Sequence, residues 1–307
     1  MTRVFIDGSA GTTGLRIVDR LSDRKDLELL RLPEELRKDL SARKDAINTA
    51  DIVFLCLPDA AAKESVTLVE NPNTAIIDTS TAHRTAPGWT YGFPELGTLR
   101  EEIKASKRIA NPGCHASGFV ALVQPLVAAG LLKPEEKLTC FSLTGYSGGG
   151  KKMIAEYEDK NRNPLLNAPR QYGLTQQHKH LPEMAVVTGL HTPPAFCPIV
   201  GDFYSGMEVT VPLTPGQLTG TLRDVMAVYK EIYTGPVVRF EETPAEDGFL
   251  SAGAFSGRDG MQISVLGDEQ HPLLIARFDN LGKGASGAAI QNMNILLGVE
   301  ESTGLTL

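Results

Sequence analysis

The stretch "RVFIDGSAGTTGLRIVDRLSDR" (residues 3–24) decides the fold. It opens as a short apolar strand, passes through Gly-Ser-Ala-Gly-Thr-Thr-Gly, and continues with Leu15, Val18 and Leu21 at helical spacing. Working outward, "LELLRL" (27–32), "DIVFLCLP" (51–58) and "TAIIDTS" (74–80) read as second, third and fourth strands. Strand, glycine turn, helix, strand is a βαβ unit, and continuous apolar strands in series predict a parallel sheet covered on both faces.

From about residue 137 the texture changes. "KLTCFSLTGYSGGG" (137–150), "PIVGDFYSGMEVTVPL" (198–213) and "GMQISVLGDEQHPLLIARFDN" (260–280) are longer, partly alternating strand patterns, with "LRDVMAVYKEIYTG" (222–235) as an interposed helix. That pattern predicts an α+β domain with a mainly antiparallel sheet. The segment "GKGASGAAIQNMNILLGVEES" (282–302) returns to helix and is expected to pack back on the first domain. The chain is therefore expected to be α/β overall: a Rossmann-type NAD(P)-binding domain from residues 1–114 with 284–307, and an α+β catalytic and dimerisation domain from 115–283.

Composition narrows the function classes. The 307 residues are 42% hydrophobic and carry a net charge of −7, with lysines and arginines scattered, so the basic footprint of a nucleic-acid binder is missing. The first 20 residues lack a signal-peptide pattern, and the longest apolar stretch, near 116–132, is broken by Ser117, Gln124 and Pro125. No membrane partner and a cytoplasmic location are expected. The four cysteines show no CxxC pair and should be reduced thiols; Cys56, Cys140 and Cys197 sit in apolar company and read as packing.

Gly8, Gly11 and Gly14 give GxxGxxG between strand and helix, where small residues let a pyrophosphate approach the helix N-terminus. Ser9, Thr12 and Thr13 add hydroxyl donors. A strand-to-helix turn can need glycine without any ligand, but the position after the first strand favours a dinucleotide. An acidic residue ending the second strand would suit NAD, whereas Arg31 there, with Arg37 and Lys38 following, points to NADP(H).

In "RIANPGCHASGFVALV" (108–123), Asn111-Pro112-Gly113 turns the chain and sets Cys114 at a helix start. Helix N-termini depress cysteine pKa, so Cys114 fits a nucleophile; taken alone it also fits a packed thiol. A nucleophile needs a base or cationic partner. "QQHKHLPEM" (176–184) offers His178 and His180, whose side chains share one face if the segment is extended, and Glu183. His-x-His is also a metal pattern, but no carboxylate or thiolate with ligand spacing accompanies it, and no metal is expected. His83, His115, His191 and His271 are weaker candidates. Arg84 after "DTSTAH" and Lys151 after "GYSGGG" offer anion-binding chemistry.

Together these residues resemble the N-acetyl-gamma-glutamyl-phosphate reductases of arginine biosynthesis, in particular their shorter form. The matching patches are "GSAGTTG" (8–14), "FLCLPD" (54–59), "DTSTAHR" (78–84), "YGFPEL" (91–96), "ANPGCHAS" (110–117), "GYSGGGK" (145–151), "HKHLPEM" (178–184) and "FDNLGKGASGAAIQNMN" (278–294). The resemblance implies a Rossmann domain, a second domain of the semialdehyde-dehydrogenase dimerisation type, NADP(H), a small acyl-phosphate substrate and a homo-oligomer, dimer or tetramer. It further implies Cys114 as nucleophile, His178 or His180 as acid/base, and Arg84, Ser147, Lys151 and Glu183 on the substrate. Cys56, Leu57, Pro58, Ser80 and Asn280 would join the glycine loop and Arg31 on the cofactor. The rivals are a related reductase acting on aspartyl or aminoadipyl phosphate, a non-catalytic NADP-binding sensor, and a metal hydrolase built on His-x-His.

Overall fold

In the computed structural model, which describes residues 1–244 and 246–307, the chain begins as β1 (Thr2–Asp7) and α1 (Thr12–Leu21). It continues through β2 (Leu27–Leu30), α2 (Leu40–Thr49), β3 (Ile52–Leu55), α3 (Asp59–Thr67) and β4 (Ala75–Asp78). β5 (Thr90–Tyr91), α4 (Leu99–Ala105) and β6 (Arg108–Ala110) follow. Then come α5 (Cys114–Ala128), β7 (Thr139–Gly145), α6 (Gly150–Glu158), β8 (Arg170–Gln171), α7 (Leu181–Thr188), β9 (Ala195–Gly201) and β10 (Met207–Pro212). The last elements are α8 (Leu222–Ile232), β11 (Val238–Phe240), β12 (Met261–Gly267), β13 (Pro272–Phe278) and α9 (Gly287–Leu297). Two units result: Met1–Pro94 with Thr98–Gly113 and Ala285–Leu305, and Cys114–Gly284 with Glu95–Gly97 and Thr306–Leu307.

The first unit is a six-stranded sheet in the order β2-β1-β3-β4-β6-β5, parallel throughout. Alternate residues of each strand supply two cores, as the unbroken apolar runs predict. Val4, Ile6, Phe54 and Ile77 pack with Ile17 of α1, Ile103 of α4 and Met293 of α9 on one face; Phe5, Val53, Leu55 and Ile76 pack with Ile47 of α2 and Ala62 of α3 on the other. α9 thus packs into the first unit's core. The order reverses at β1, which has β2 on one side and β3 on the other, and ligands of open α/β sheets bind outside the strand ends at such a point.

The second unit is a seven-stranded sheet, β11-β12-β13-β10-β7-β9-β8. Four of its neighbour pairs are antiparallel; β11 with β12 and β7 with β9 are parallel. α5 packs on this sheet and is apolar nearly all round, with Phe119, Val120, Leu122 and Val123 fully buried, each worth about 1.5–3 kcal/mol of burial. Pro125 inside α5 has no N–H to offer the carbonyl of Ala121. The Tyr233 hydroxyl donates to that carbonyl (2.5 Å), so the break in the ladder is filled from beyond the end of α8; the Tyr229 hydroxyl, within α8, donates to the next carbonyl, that of Leu122 (2.5 Å). Among the described residues no helix is long and apolar enough to cross a membrane.

Candidate active site

In the first unit, β1 delivers Asp7 and then Gly8, whose φ of +89° only glycine adopts without strain; a Cβ there would also stand 2.3 Å from the carbonyl oxygen of Cys56. The loop that follows opens into a cleft of about 830 Å³ lined by Gly8, Ser9, Ala10, Arg31 and Leu57, with Arg37 and Lys38 at its rim. α1 begins at this loop with no side-chain cap and no acidic residue in its first turn, leaving N–H groups for an anion. Asp7 itself is buried and neutralised: Arg43 Nη2 lies 3.0 Å from its Oδ2, and the Ser65 hydroxyl donates to the same oxygen (2.9 Å). Burial pulls the Arg43 guanidinium down, but the hydrogen bonds and charges of Asp7 and Glu64 outweigh it and hold the group above its ordinary pKa. The donors, glycine turn and cations fit a dinucleotide.

Of the residues expected on the cofactor, Gly8, Ser9, Arg31 and Leu57 line this cleft. Gly11, Thr12, Thr13 and Gly14 form the turn and first helical residues behind it, and Pro58 precedes α3. Arg31 donates to the Ser22 hydroxyl (3.2 Å). Cys56 packs against the core, and burial, with the charges of Asp78 and Asp7, pushes its thiol up to about 12. Ser80 spends its hydroxyl on Asp78 Oδ2 (2.8 Å), which also meets His83 Nδ1 (2.6 Å). Asn280 lies in the second unit.

Arg84, expected on the substrate, uses its guanidinium on backbone: Nε donates to the Asn111 carbonyl (3.0 Å) and Nη2 to that of Thr79 (3.1 Å). Asn111 Nδ2 in turn donates to the Ala285 carbonyl (3.0 Å). Arg84 therefore fixes the Asn111-Pro112-Gly113 turn that hands the chain to Cys114.

In the second unit Cys114 is the first residue of α5 and half-buried. Gly284 passes directly beside it in a single π-turn (Gly282–Ser286), so close that a Cβ at 284 would stand 3.0 Å from that of Cys114. The turn is clamped by Lys283, fully buried, whose Nζ donates to both carboxylate oxygens of Glu95 (2.8 Å each). His115 lies one residue on. Its Nδ1 is 2.6 Å from the Ser142 hydroxyl and its Nε2 2.6 Å from that of Tyr172. Burial, reinforced by His178, pulls its pKa down to about 3, so this imidazole is neutral at physiological pH. Tyr172 is held neutral too, its hydroxyl pushed up by burial and then by the charge of Cys114.

The His178 and His180 rings meet edge to face at 4.8 Å, and each lies 5.6 Å from the His115 ring. They meet by a route other than a shared face of an extended segment. Pro182 stands in the first turn of α7, which makes His180 the residue before that helix, with φ −86° and ψ −11°. The backbone N–H of His180 donates to His178 Nδ1 (3.2 Å), leaving Nε2 as the position for the ring proton of a neutral His178. Glu183 is buried in the first turn of α7. The Ser147 hydroxyl accepts from Asn280 Nδ2 (3.0 Å), and Asn280 Oδ1 accepts from the Gly206 N–H (2.9 Å). Lys151 is exposed in the first turn of α6. Cys114, the histidine pair, Ser147, Lys151, Glu183 and Asn280 thus belong to one unit, whereas Arg84 belongs to the other. Tyr172, Ser142, Lys283 and Glu95 were not singled out in the sequence, although Tyr172 stands six positions before His178.

Comparison with known proteins follows this division. The semialdehyde dehydrogenase NAD-binding domain family matches residues 3–106 and the semialdehyde dehydrogenase dimerisation domain family matches 114–280. N-acetyl-gamma-glutamyl-phosphate reductase of Brucella ovis is 47% identical, over 96% of this chain and 99% of its own length. That of Brucella suis is 48% identical over the same shares. Among solved structures, aspartate semialdehyde dehydrogenase II from Vibrio cholerae superposes with a TM-score of 0.72 at 16% identity, covering 97% of this chain and 99% of its own. Aspartate semialdehyde dehydrogenase with NADP from Candida albicans gives 0.68 at 16% identity over 97% and 98%. At that identity the solved structures speak to the fold alone.

Proposed function

The chain belongs to the N-acetyl-gamma-glutamyl-phosphate reductases, and from that premise we propose that it reduces N-acetyl-L-glutamyl 5-phosphate to N-acetyl-L-glutamate 5-semialdehyde and phosphate through a thioester on Cys114. The observation that carries the reading is the placing of Cys114 at the start of α5, one residue before an imidazole bonded to Tyr172 and surrounded by the His178/His180 pair.

The Cys114 sulfur, as thiolate stabilised by the helix N-terminus, attacks the acyl carbon; the carbon–oxygen bond to phosphate breaks and phosphate leaves with the electron pair. NADPH, when bound, supplies hydride. Backbone donors near Ser147 and the cation of Lys151 stabilise charge on the departing phosphate, and Glu183 helps position the substrate. Once hydride has added to the thioester carbon, the oxyanion on that carbon collapses, the carbon–sulfur bond breaks with the electron pair on Cys114, and the aldehyde is freed; His178 gives and takes the proton, with His180 positioning substrate. The preference for NADP over NAD rests on Arg31, with Arg37 and Lys38 beside it, at the end of the second strand.

Assembly as a homo-oligomer is supported by the dimerisation-domain match and by the sheet of the second unit, where Phe141 of β7 is 44% exposed beside half-buried Leu143, Cys197 and Ile199. A reduced thiol suits the cytoplasm.

The test is the reverse reaction: N-acetylglutamate semialdehyde, NADP and phosphate or arsenate, followed by NADPH absorbance. Turnover with this aldehyde and not with aspartate semialdehyde is expected. Turnover of aspartate semialdehyde alone would transfer the chain to the rival substrate, and turnover of neither would remove the reductase reading.

A further inference from the structure

Among the described residues, Arg170 is a cation without a counter-charge, at the edge of a small apolar cluster. Its strand, β8, runs beside β9 with Arg170 opposite Val200, and Val200 packs with Tyr157, Leu166, Tyr146 and Tyr172. The guanidinium carbon lies 5.5 Å from the centre of the Tyr157 ring, and Nη2 donates to the Tyr157 hydroxyl (3.2 Å). Nε is buried and meets no acceptor, and among the described residues no carboxylate pairs with this arginine. Leaving a charged donor dry and unmatched is unfavourable, and such groups usually have a partner. A flat guanidinium fixed by ring contact and one hydroxyl, with Nε still unmatched, is suited to a planar anion.

The neighbours of Arg170 connect it to both arms of the candidate site within one unit. Two residues along the extended chain, about 6.6 Å away, stands Tyr172, whose hydroxyl bonds to His115 and feels the charge of Cys114. Its other contact, Tyr157, stacks on Tyr146 at 4.8 Å, and Tyr146 precedes Ser147 of the glycine loop. The reductase substrate carries two anionic ends. Its phosphate must depart from the carbon that Cys114 attacks. Its α-carboxylate lies four carbon–carbon bonds from that carbon, about 5 Å in an extended chain.

Resting on the reductase reading, we propose that Arg170 receives the α-carboxylate of the acylamino-acid substrate and so selects for substrates that bear one at this distance from the reacting carbon. The carboxylate would accept from Nε and one Nη, a bidentate pair that replaces the missing acceptor of the buried Nε. The side chain acts in binding and leaves the bond-making steps to Cys114 and the histidines.

The experiment compares N-acetylglutamate semialdehyde with its α-carboxamide in the reverse assay, using the full chain, Arg170→Met and Arg170→Lys. The unaltered protein is expected to prefer the acid by about 10- to 100-fold in kcat/KM. Arg170→Met should erase that preference by raising KM for the acid, with the carboxamide, the KM for phosphate and the binding of NADPH little changed. Arg170→Lys keeps the charge but loses Nε and the fork, and should retain only part of the preference; it answers the question if the methionine variant fails to fold. Equal loss on both aldehydes, an undiminished preference, or a raised KM for phosphate would each overturn the assignment. Turnover of neither aldehyde by the unaltered protein would instead remove the reductase reading, and the proposal with it.

Discussion

Tyr172 and His115 share a 2.6 Å hydrogen bond that ties the segment before the histidine pair to the second residue of the helix carrying Cys114. Because Ser142 holds the other ring nitrogen at 2.6 Å, the imidazole is a fixed strut, and Tyr172 is oriented from inside the sheet. Replacing Tyr172 by Phe keeps the ring and removes the hydroxyl that meets His115. Because the buried His115 Nε2 would then lose its partner, about 1–3 kcal/mol of stability should be lost, read as a lower urea midpoint. NADPH binding should be unchanged. An unchanged midpoint would show that the hydroxyl contributes nothing beyond packing.

Cys114→Ser is expected to abolish phosphate-dependent turnover while leaving NADPH binding nearly intact, since the glycine cleft belongs to the first unit and the thiol to the second. Cys56 and Cys140 form an internal control. Burial pushes both thiols well above the ordinary range, so neither should be modified under conditions that label Cys114, as peptide mass analysis will show. Loss of cofactor binding along with activity would make Cys114 structural.

The first unit was legible because its signals are local. Four apolar runs, a glycine turn and a helical repeat define parallel strands without knowledge of their neighbours, and the Asn-Pro-Gly turn announced the helix at Cys114. The second unit was less so, since a mixed sheet depends on pairings across long stretches of chain, such as β7 with β9. Tyr172, Ser142 and the Lys283–Glu95 pair acquire meaning only through contacts far apart in sequence; Glu95 and Lys283 are 188 residues apart. The geometry of the histidine pair did have a local signal. Proline favours the first helical turn, so "HLPEM" marks a helix start rather than a continuing strand.

Arg31→Ala should weaken NADPH binding by about 10- to 100-fold, the effect expected for one hydrogen bond to a phosphate. NADH binding should hardly change, because Arg31 is exposed at the cleft and is not needed to hold β2 in place. Fluorescence titration with both nucleotides measures the ratio. Equal weakening of both would argue that the arginine acts on the adenine or on the fold.

Tyr233→Phe removes the donor that satisfies the Ala121 carbonyl opposite Pro125. With Tyr233 buried and that carbonyl left without its donor, about 1–3 kcal/mol of stability should be lost. Thermal melts followed by circular dichroism will read this as a fall of a few degrees. Because α5 also carries Cys114, turnover measured well below the melt tests whether the repair of the helix matters to the thiol; an unchanged kcat is expected, since the break lies three turns away from it.

His115 links stability to pH. Its pKa in the folded chain is about 3, through burial and the neighbouring His178, whereas an unfolded histidine titrates near 6.5. Between those values the unfolded chain binds a proton that the folded chain refuses, so the unfolded state gains as pH falls. The neutral ring's contribution is fully present above about pH 6.5 and declines below it by about 1.4 kcal/mol for each pH unit until the folded pKa is reached. His115→Asn should therefore lower stability at pH 7.5, where the bonds to Ser142 and Tyr172 are lost, yet flatten the decline between pH 6.5 and 5. Urea midpoints of both proteins across that interval give the comparison, and parallel curves would mean that His115 is not the residue that refuses the proton.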